Sequence, residues 1–206
     1  RGFLNAAARL LREASVEPKQ VSYVVHGTTV ATNAIIEGNI ARTGFITTEG
    51  FRDMLEIARQ IRPSLYDLQF EKPRPLVPRY LCFGVPERLN ALGEVIAPLD
   101  EDAVRIVALK LKDEGVEAVS VCLLHSYANQ DHEQRIGKIL HEVMPDVAIS
   151  LSSEIVPEFR EYFRASTAVV NSSIRPIVDR YLDRLTESLK SLGFGGRLSI
   201  MLSTGG

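Results

Sequence analysis

The chain has no tryptophan, and its 206 residues include only two cysteines, three methionines and 7% aromatic side chains. The two thiols, Cys82 and Cys122, stand far apart and make no metal-ligand spacing. Cys122 lies within the apolar run Ala118–Leu124, where a small buried thiol is expected rather than a reactive one. An excess of charge is missing too: 24 Lys and Arg face 26 Asp and Glu, for a net charge of -2. That balance advertises neither a nucleic-acid nor an anionic-membrane partner. No apolar run approaches the roughly 20 residues of a membrane span. No basic-then-apolar leader opens the chain, so the expectation is a reduced, cytoplasmic setting. Internal repeats and low-complexity tracts are also missing.

What is present is a globular composition, 45% hydrophobic and 24% charged, in a length that suits one large or two small domains. Both ends look cut: Leu4, Ala7, Ala8 and Leu11 already follow a helical period, and Leu198–Gly206 is a strand running into glycines. The expectation is a piece of a longer protein. Val21–His26 reads as a buried strand, Thr29–Glu37 as a short helix closed by Gly38, and Thr43–Thr47 as a second strand. Gly50–Arg59 opens a helical or turn segment. From Gln60 to Tyr80 the period fades and prolines accumulate, which predicts an irregular surface excursion. Glu87–Ile96 reads as a hairpin around an Asn/Gly turn.

The later segments alternate more clearly. Asp100 predicts an N-cap, Val104, Val107, Ala108 and Leu111 an apolar face, and Gly115 an end. Val116–Leu124 reads as a strand covered on both faces. Asn129 is expected to cap a helix with Ile136, Ile139, Leu140 and Val143 on one side, and Val147–Leu151 as the next strand. Beyond Pro157 the pattern is helical for a long way, with Pro176 marking a kink or a new first turn. Strand–helix–strand alternation predicts α/β architecture with parallel pairing.

The stretch HGTTVATNA, His26 to Ala34, raises the sharpest chemical question. Its helix start leaves backbone N–H groups without intrahelical partners, Gly27 admits a close ligand, and Thr28, Thr29 and Thr32 add hydroxyls. His26 could donate a hydrogen bond or move a proton. The plainer alternative is a threonine that caps the helix and a satisfied histidine. Arg59 and Arg62 carry forks suited to carboxylate or phosphate, although surface arginines are commonly just solvated. His125 ends a strand, where open α/β sheets place ligands, and a structural role is equally open. His132 and His141 read as surface residues. In Ser152–Arg164, Arg160 and Arg164 stand as a like-charge pair four residues apart, a hint of a nearby anion beside the alternative of a solvated face. Ser203–Gly206 resembles a phosphate loop or merely a turn.

In order along the chain stand HGTTVATNA, ARTGFITTEGFRDMLEIARQIRPSLYDL, KPRPLVPR, VPERLNALGEV, VEAVSVCLLHSYANQDHEQRIG, SSEIVPEFREYFRASTAVVN and IMLSTGG. Together they resemble the amino-terminal part of the hydantoinase A / 5-oxoprolinase family, which takes in N-methylhydantoinase α-type subunits and subunits of acetone and acetophenone carboxylases. The resemblance runs from about Val21 to Gly206. It implies an incomplete α/β lobe of the actin/Hsp70/sugar-kinase-like (ribonuclease H-like) ATPase fold. It divides the chain into an amino-terminal domain over 1–165, lacking its first strands, and the start of a catalytic domain over 166–206.

The resemblance further implies ATP and Mg²⁺ as cofactors, with the metal ligands unassigned. ATP would activate an amide oxygen of a hydantoin or 5-oxoproline type ring as a phosphate ester, so that hydrolysis opens the ring. It makes His26 and Thr29 catalytic candidates, Thr28, Asn33 and Arg59 substrate contacts, and Ser203, Gly205 and Gly206 part of the nucleotide loop. A B-type subunit or fused second half is the implied partner, in an oligomer. Two departures stand out. No Asp-x-Gly-Gly-Thr turn precedes Val21, and Thr204 occupies a position where the family commonly has Asn. The fragment alone is expected to be inactive. Two rivals remain: a subunit of an ATP-dependent ketone carboxylase, and a non-catalytic actin-like assembly module.

Overall fold

The structure is a computed structural model that describes residues 2–61, 66 and 69–201. The chain divides into two compact units. The inner one, Ile40–Pro176, is contiguous; the other joins the segment up to Asn39 to the segment from Ile177 onward.

The inner unit is built on a four-stranded sheet of β2 (Thr43–Thr48), β3 (Cys82–Val85), β6 (Ala118–Cys122) and β7 (Ala148–Leu151), in the order β3-β2-β6-β7. All its pairs are parallel, as alternation predicts, with Phe45 opposite both Cys82 and Ser120 and Val119 opposite Ile149. Every residue of β2 and β6 is buried, the signature of strands covered on both faces. Helix α4 (Glu101–Asp113) begins at Asp100, whose Oδ1 accepts the Ala103 N–H at 2.9 Å, and it buries Val104, Val107, Ala108 and Leu111. Gly44 lets α4 come close, since a Cβ there would press on the Leu111 side chain. Helix α5 (Asp131–Val143) buries Ile136, Ile139 and Leu140. Its N-cap is Gln130 rather than Asn129; the Asn129 side chain instead accepts the Asp131 N–H.

The prolines of 73–78 accompany a stretch free of helix and strand, closed by a 3-10 turn at Arg79–Leu81. The turn segment after β2 holds α3 (Met54–Ile57). The expected hairpin forms as β4 (Arg88–Leu89) against β5 (Val95–Ala97), antiparallel, with Gly93 at φ +82° in its turn. A short helix α6 (Ser152–Ile155) follows β7, and α7 (Glu161–Ser191) runs unbroken through Pro176, so no helix restarts there.

The discontinuous unit holds α1 (Gly2–Glu13), β1 (Tyr23–Gly27), α2 (Val30–Ile36) and β8 (Arg197–Met201), with the end of α7. Strands β1 and β8 pair in parallel, His26 opposite Ile200. Leu185, Leu189 and Phe194 form its small core, against Phe3, Leu4, Val21, Val24, Tyr181 and Leu198. The expectation of a fully buried β1 does not hold. Tyr23 and Val25 face outward while Val24 and His26 are half-buried, the period-two alternation of a strand covered on one side.

Both thiols are buried, and loss of hydration pushes Cys82 up to about 12 and Cys122 up to about 11. Only the thiolate is nucleophilic. Neither cysteine should therefore react within minutes with a disulfide reagent at pH 8 in the native protein, and both should react once guanidinium unfolds it. Fast native labelling of either would contradict the packing.

Among the described residues no helix is long and apolar enough to cross a membrane.

Candidate functional site

The turn between β1 and α2 carries most of the stretch HGTTVATNA. Thr29 occupies the N-cap position, yet its side chain makes no cap hydrogen bond. The Thr28 hydroxyl accepts the Val30 N–H at 3.3 Å. Gly27, Thr28, Thr29, Thr32 and Asn33 are all exposed. The hydroxyl of Thr29 and the side-chain amide of Asn33 have no hydrogen-bond partner among the described residues. The Thr29 side chain thus does not cap α2, and only Thr28 meets a helix-start N–H. A ligand oxyanion could approach it, because the donors face open space and a Cβ at Gly27 would meet nothing within 4 Å. Helix α2 is only seven residues long, so its dipole adds little and the side-chain donors dominate.

His26 sits at the root of this turn, half-buried on the inward face of β1. Its Nε2 lies 2.6 Å from the Tyr181 hydroxyl, and the Phe3 ring centroid is 4.5 Å away. The imidazole is therefore held in one orientation by a residue from α7. Tyr181 packs against the small apolar core of Leu185, Leu189 and Phe194, and its polar end touches the candidate catalytic histidine. Nothing local in the sequence links positions so far apart.

Arg59 belongs to the inner unit. It is exposed, between Ala58 at φ +51° and Gln60 at φ +54°, with its Cζ 5.0 Å from the Phe163 ring centroid. The candidate nucleotide-loop residues Ser203, Gly205 and Gly206 lie outside the described residues, as does Arg62. Among the described residues, no group of three or more His, Cys, Asp or Glu could hold a metal ion.

The carboxyl ends of the parallel strands carry a buried polar network that the sequence did not reveal. His132 is not a surface residue: it is 3% exposed, and its Nδ1 lies 2.8 Å from Glu87 Oε2. The Thr48 hydroxyl donates to Glu87 Oε1 and accepts the Leu124 N–H. Glu133, fully buried, accepts from the Leu123 N–H, the Ser152 hydroxyl and the Ser153 N–H. Arg164 is equally buried and donates to Ser152 Oγ, Glu158 O and Leu123 O. These contacts overturn the pairing of Arg160 with Arg164 on one solvated face. Arg160 precedes α7 at φ +84° and is exposed, whereas Arg164 points into the interior. His125 is half-buried at φ +57° where β6 ends, its Nδ1 3.3 Å from the Tyr127 hydroxyl. A left-handed conformation costs a non-glycine residue about 1–3 kcal/mol and persists where surrounding structure enforces it.

Parallel sheets under helices define an α/β protein, with the hydroxyls of Thr28 and Thr29 and the Asn33 side chain exposed after β1. Comparison with known proteins narrows that class. Residues 1–144 match the family described as hydantoinase/oxoprolinase N-terminal region, and the chain belongs to that family. It is 34% identical over 184 residues to caprolactamase subunit alpha of Pseudomonas jessenii, covering 88% of this chain and 26% of that protein. The crystal structure of the ATP-dependent caprolactamase from Pseudomonas jessenii superposes with a TM-score of 0.90 at 31% identity, covering 98% of this chain and 30% of that one. A nucleotide-free acetone carboxylase, from work on ATP-dependent acetone carboxylation, gives a TM-score of 0.77 at 25% identity, covering 86% and 27%. The chain spans less than a third of the length of the curated relatives it matches. The family includes ATP-dependent enzymes that act on cyclic amides and enzymes that carboxylate ketones.

Proposed function

We propose that this chain is the amino-terminal part of an ATP-dependent hydrolase that opens a cyclic amide of the hydantoin or 5-oxoproline type. The observation that carries the reading is the set of donors on Thr28, Thr29 and Asn33, left open beside a histidine of fixed orientation. Neutral donors of this kind suit the oxygens of a phosphate or a polarised amide. ATP, when bound, supplies the phosphoryl group that gives a poor amide electrophile a leaving group. His26 moves a proton at the reacting centre, Thr29 donates to the developing negative oxygen, and Thr28 and Asn33 orient the substrate. Arg59 anchors the substrate, and Ser203, Gly205 and Gly206 belong to the nucleotide loop. Mg²⁺ would accompany the nucleotide and neutralise phosphate charge, bound through phosphate oxygens and waters with few protein ligands.

In this reading the fold is one lobe of an actin/Hsp70-like ATPase, with residues 1–165 as its amino-terminal domain and 166–206 as the start of the catalytic domain. A B-type subunit or fused second half completes the cytoplasmic enzyme; the similarity to a protein named as a subunit supports this. The similarity to an acetone carboxylase favours one second reading, in which the same activation serves carboxylation of a ketone.

The test is phosphate release from ATP by the full-length protein with its companion. Release that depends on hydantoin or 5-oxoproline is the expected result. Release that requires a ketone and bicarbonate would assign the carboxylase, and absence of nucleotide binding would leave only an assembly role.

A further inference from the structure

The two ring nitrogens of His26 stand in different surroundings. Nε2 lies 2.6 Å from the Tyr181 hydroxyl. Bonds donated by N–H to oxygen span about 2.7–3.2 Å, whereas hydroxyl donors come as close as about 2.5 Å. The short separation favours the phenol as donor and Nε2 as acceptor. The Tyr181 ring is packed against Leu185, Leu189 and Phe194, which fixes where that hydroxyl stands. Phe3 grips the imidazole from a second side, with ring centroids 4.5 Å apart and planes tilted by 52°.

A neutral imidazole that accepts at one nitrogen carries its proton on the other. Nδ1 has no hydrogen-bond partner among the described residues. It is not buried either, because the buried side-chain polar atoms left unpaired among those residues belong to Thr47, Ser120 and Ser153. Nδ1 is therefore open to solvent. Any ligand that His26 reaches by a hydrogen bond meets it through this nitrogen.

We propose that Tyr181 donates to Nε2 and so holds His26 as the Nδ1–H tautomer, which makes His26 a proton donor to its ligand and not a base. The inference rests on the reading of His26 as the residue that moves a proton, and gives that movement a direction. As the ligand takes the Nδ1 proton, Nε2 takes the phenolic proton. The ligand gains one proton, Tyr181 loses one, and the imidazole stays neutral. Tyr181 is half-buried, so water can return its proton. The ligand atom is thus one that gains a proton during reaction, as the nitrogen released from an opened cyclic amide does. Tyr181 is a positioning residue that acts through the histidine.

The test is nitrogen NMR of the full-length protein with its companion, carrying isotopically labelled histidine, in alkaline buffer where imidazoles are neutral. The His26 resonances are those missing from His26→Ala. The expected result is a protonated Nδ1 beside an unprotonated Nε2. Free histidine in water prefers the opposite tautomer, so an unconstrained side chain would not give this pattern. Tyr181→Phe keeps the ring, drops the hydroxyl and should shift both signals toward the Nε2–H form. A wild-type Nε2–H tautomer, or signals unchanged in Tyr181→Phe, would overturn the proposal. Adding 5-oxoproline with a non-hydrolysable ATP analogue should move the Nδ1 signal more than the Nε2 signal, and the reverse order would also overturn it. A protein that shows the Nδ1–H tautomer but never releases phosphate would sink the hydrolase reading alone.

Discussion

Arg164→Ala is expected to lower the unfolding free energy by about 3–5 kcal/mol, the range for removing one member of a buried charged network. Arg164 is 1% exposed, and its three hydrogen bonds run to Ser152 Oγ at 3.1 Å, Glu158 O at 2.9 Å and Leu123 O at 2.5 Å. Ser152 in turn donates to Glu133 Oε1 at 2.7 Å, so a hydroxyl relays the cation to a fully buried carboxylate. Alanine would strand two carbonyls and leave the Glu133 charge without its counterweight. Lysine offers one compact ammonium in place of a three-directional fork and should recover only part of the loss. Chemical denaturation followed by circular dichroism measures the effect, as a lower midpoint at unchanged slope. Glu133→Gln in the Arg164→Ala background should cost less than in the wild type, because the two groups share one network. A loss below about 1 kcal/mol for Arg164→Ala would mean the network is not what holds these strand ends.

His26→Ala, assayed as substrate-dependent phosphate release, should reduce kcat by about 10²–10⁴-fold, the contribution typical of a positioned acid or base. Tyr181→Phe should cost less, because the ring remains while the hydroxyl 2.6 Å from Nε2 is lost. That loss should fall on kcat more than on KM if the hydroxyl orients the imidazole rather than binding substrate. Neither change should unfold the protein, since both side chains are only half-buried. Wild-type turnover in His26→Ala would return the histidine to a packing role between Phe3 and Tyr181.

The fold was legible wherever a rule acts over a few residues. Asp100 as cap, Val104 to Leu111 as the buried face and Gly115 as the stop depend on one turn of helix, and all three are found. The parallel sheet followed from alternation, and the hairpin from an Asn/Gly turn. Misreadings arose where a distant partner decides. His132 looks like a surface residue on its own helix, but Glu87 comes to it from beyond β3, held in turn by the Thr48 hydroxyl. Arg160 and Arg164 look like a helical pair, but Arg160 adopts positive φ and falls outside the helix. The candidate site was legible as a motif, in the hydroxyls and histidine of one turn. Tyr181, which fixes the histidine, was not. A tyrosine in an apolar stripe gives no sign of where its hydroxyl goes.

The division into a contiguous inner unit and a flanking one made from both ends of the chain carries a consequence for biosynthesis. The inner sheet can close as soon as its own segment has left the ribosome. Strand β1, by contrast, must wait for β8, its distant parallel neighbour, and long-range pairing of this kind is slow. Until then the nascent polypeptide presents Tyr23 and Val25 on an unpaired edge. The turn proposed to cradle the ligand thus belongs to the unit that closes after the inner one.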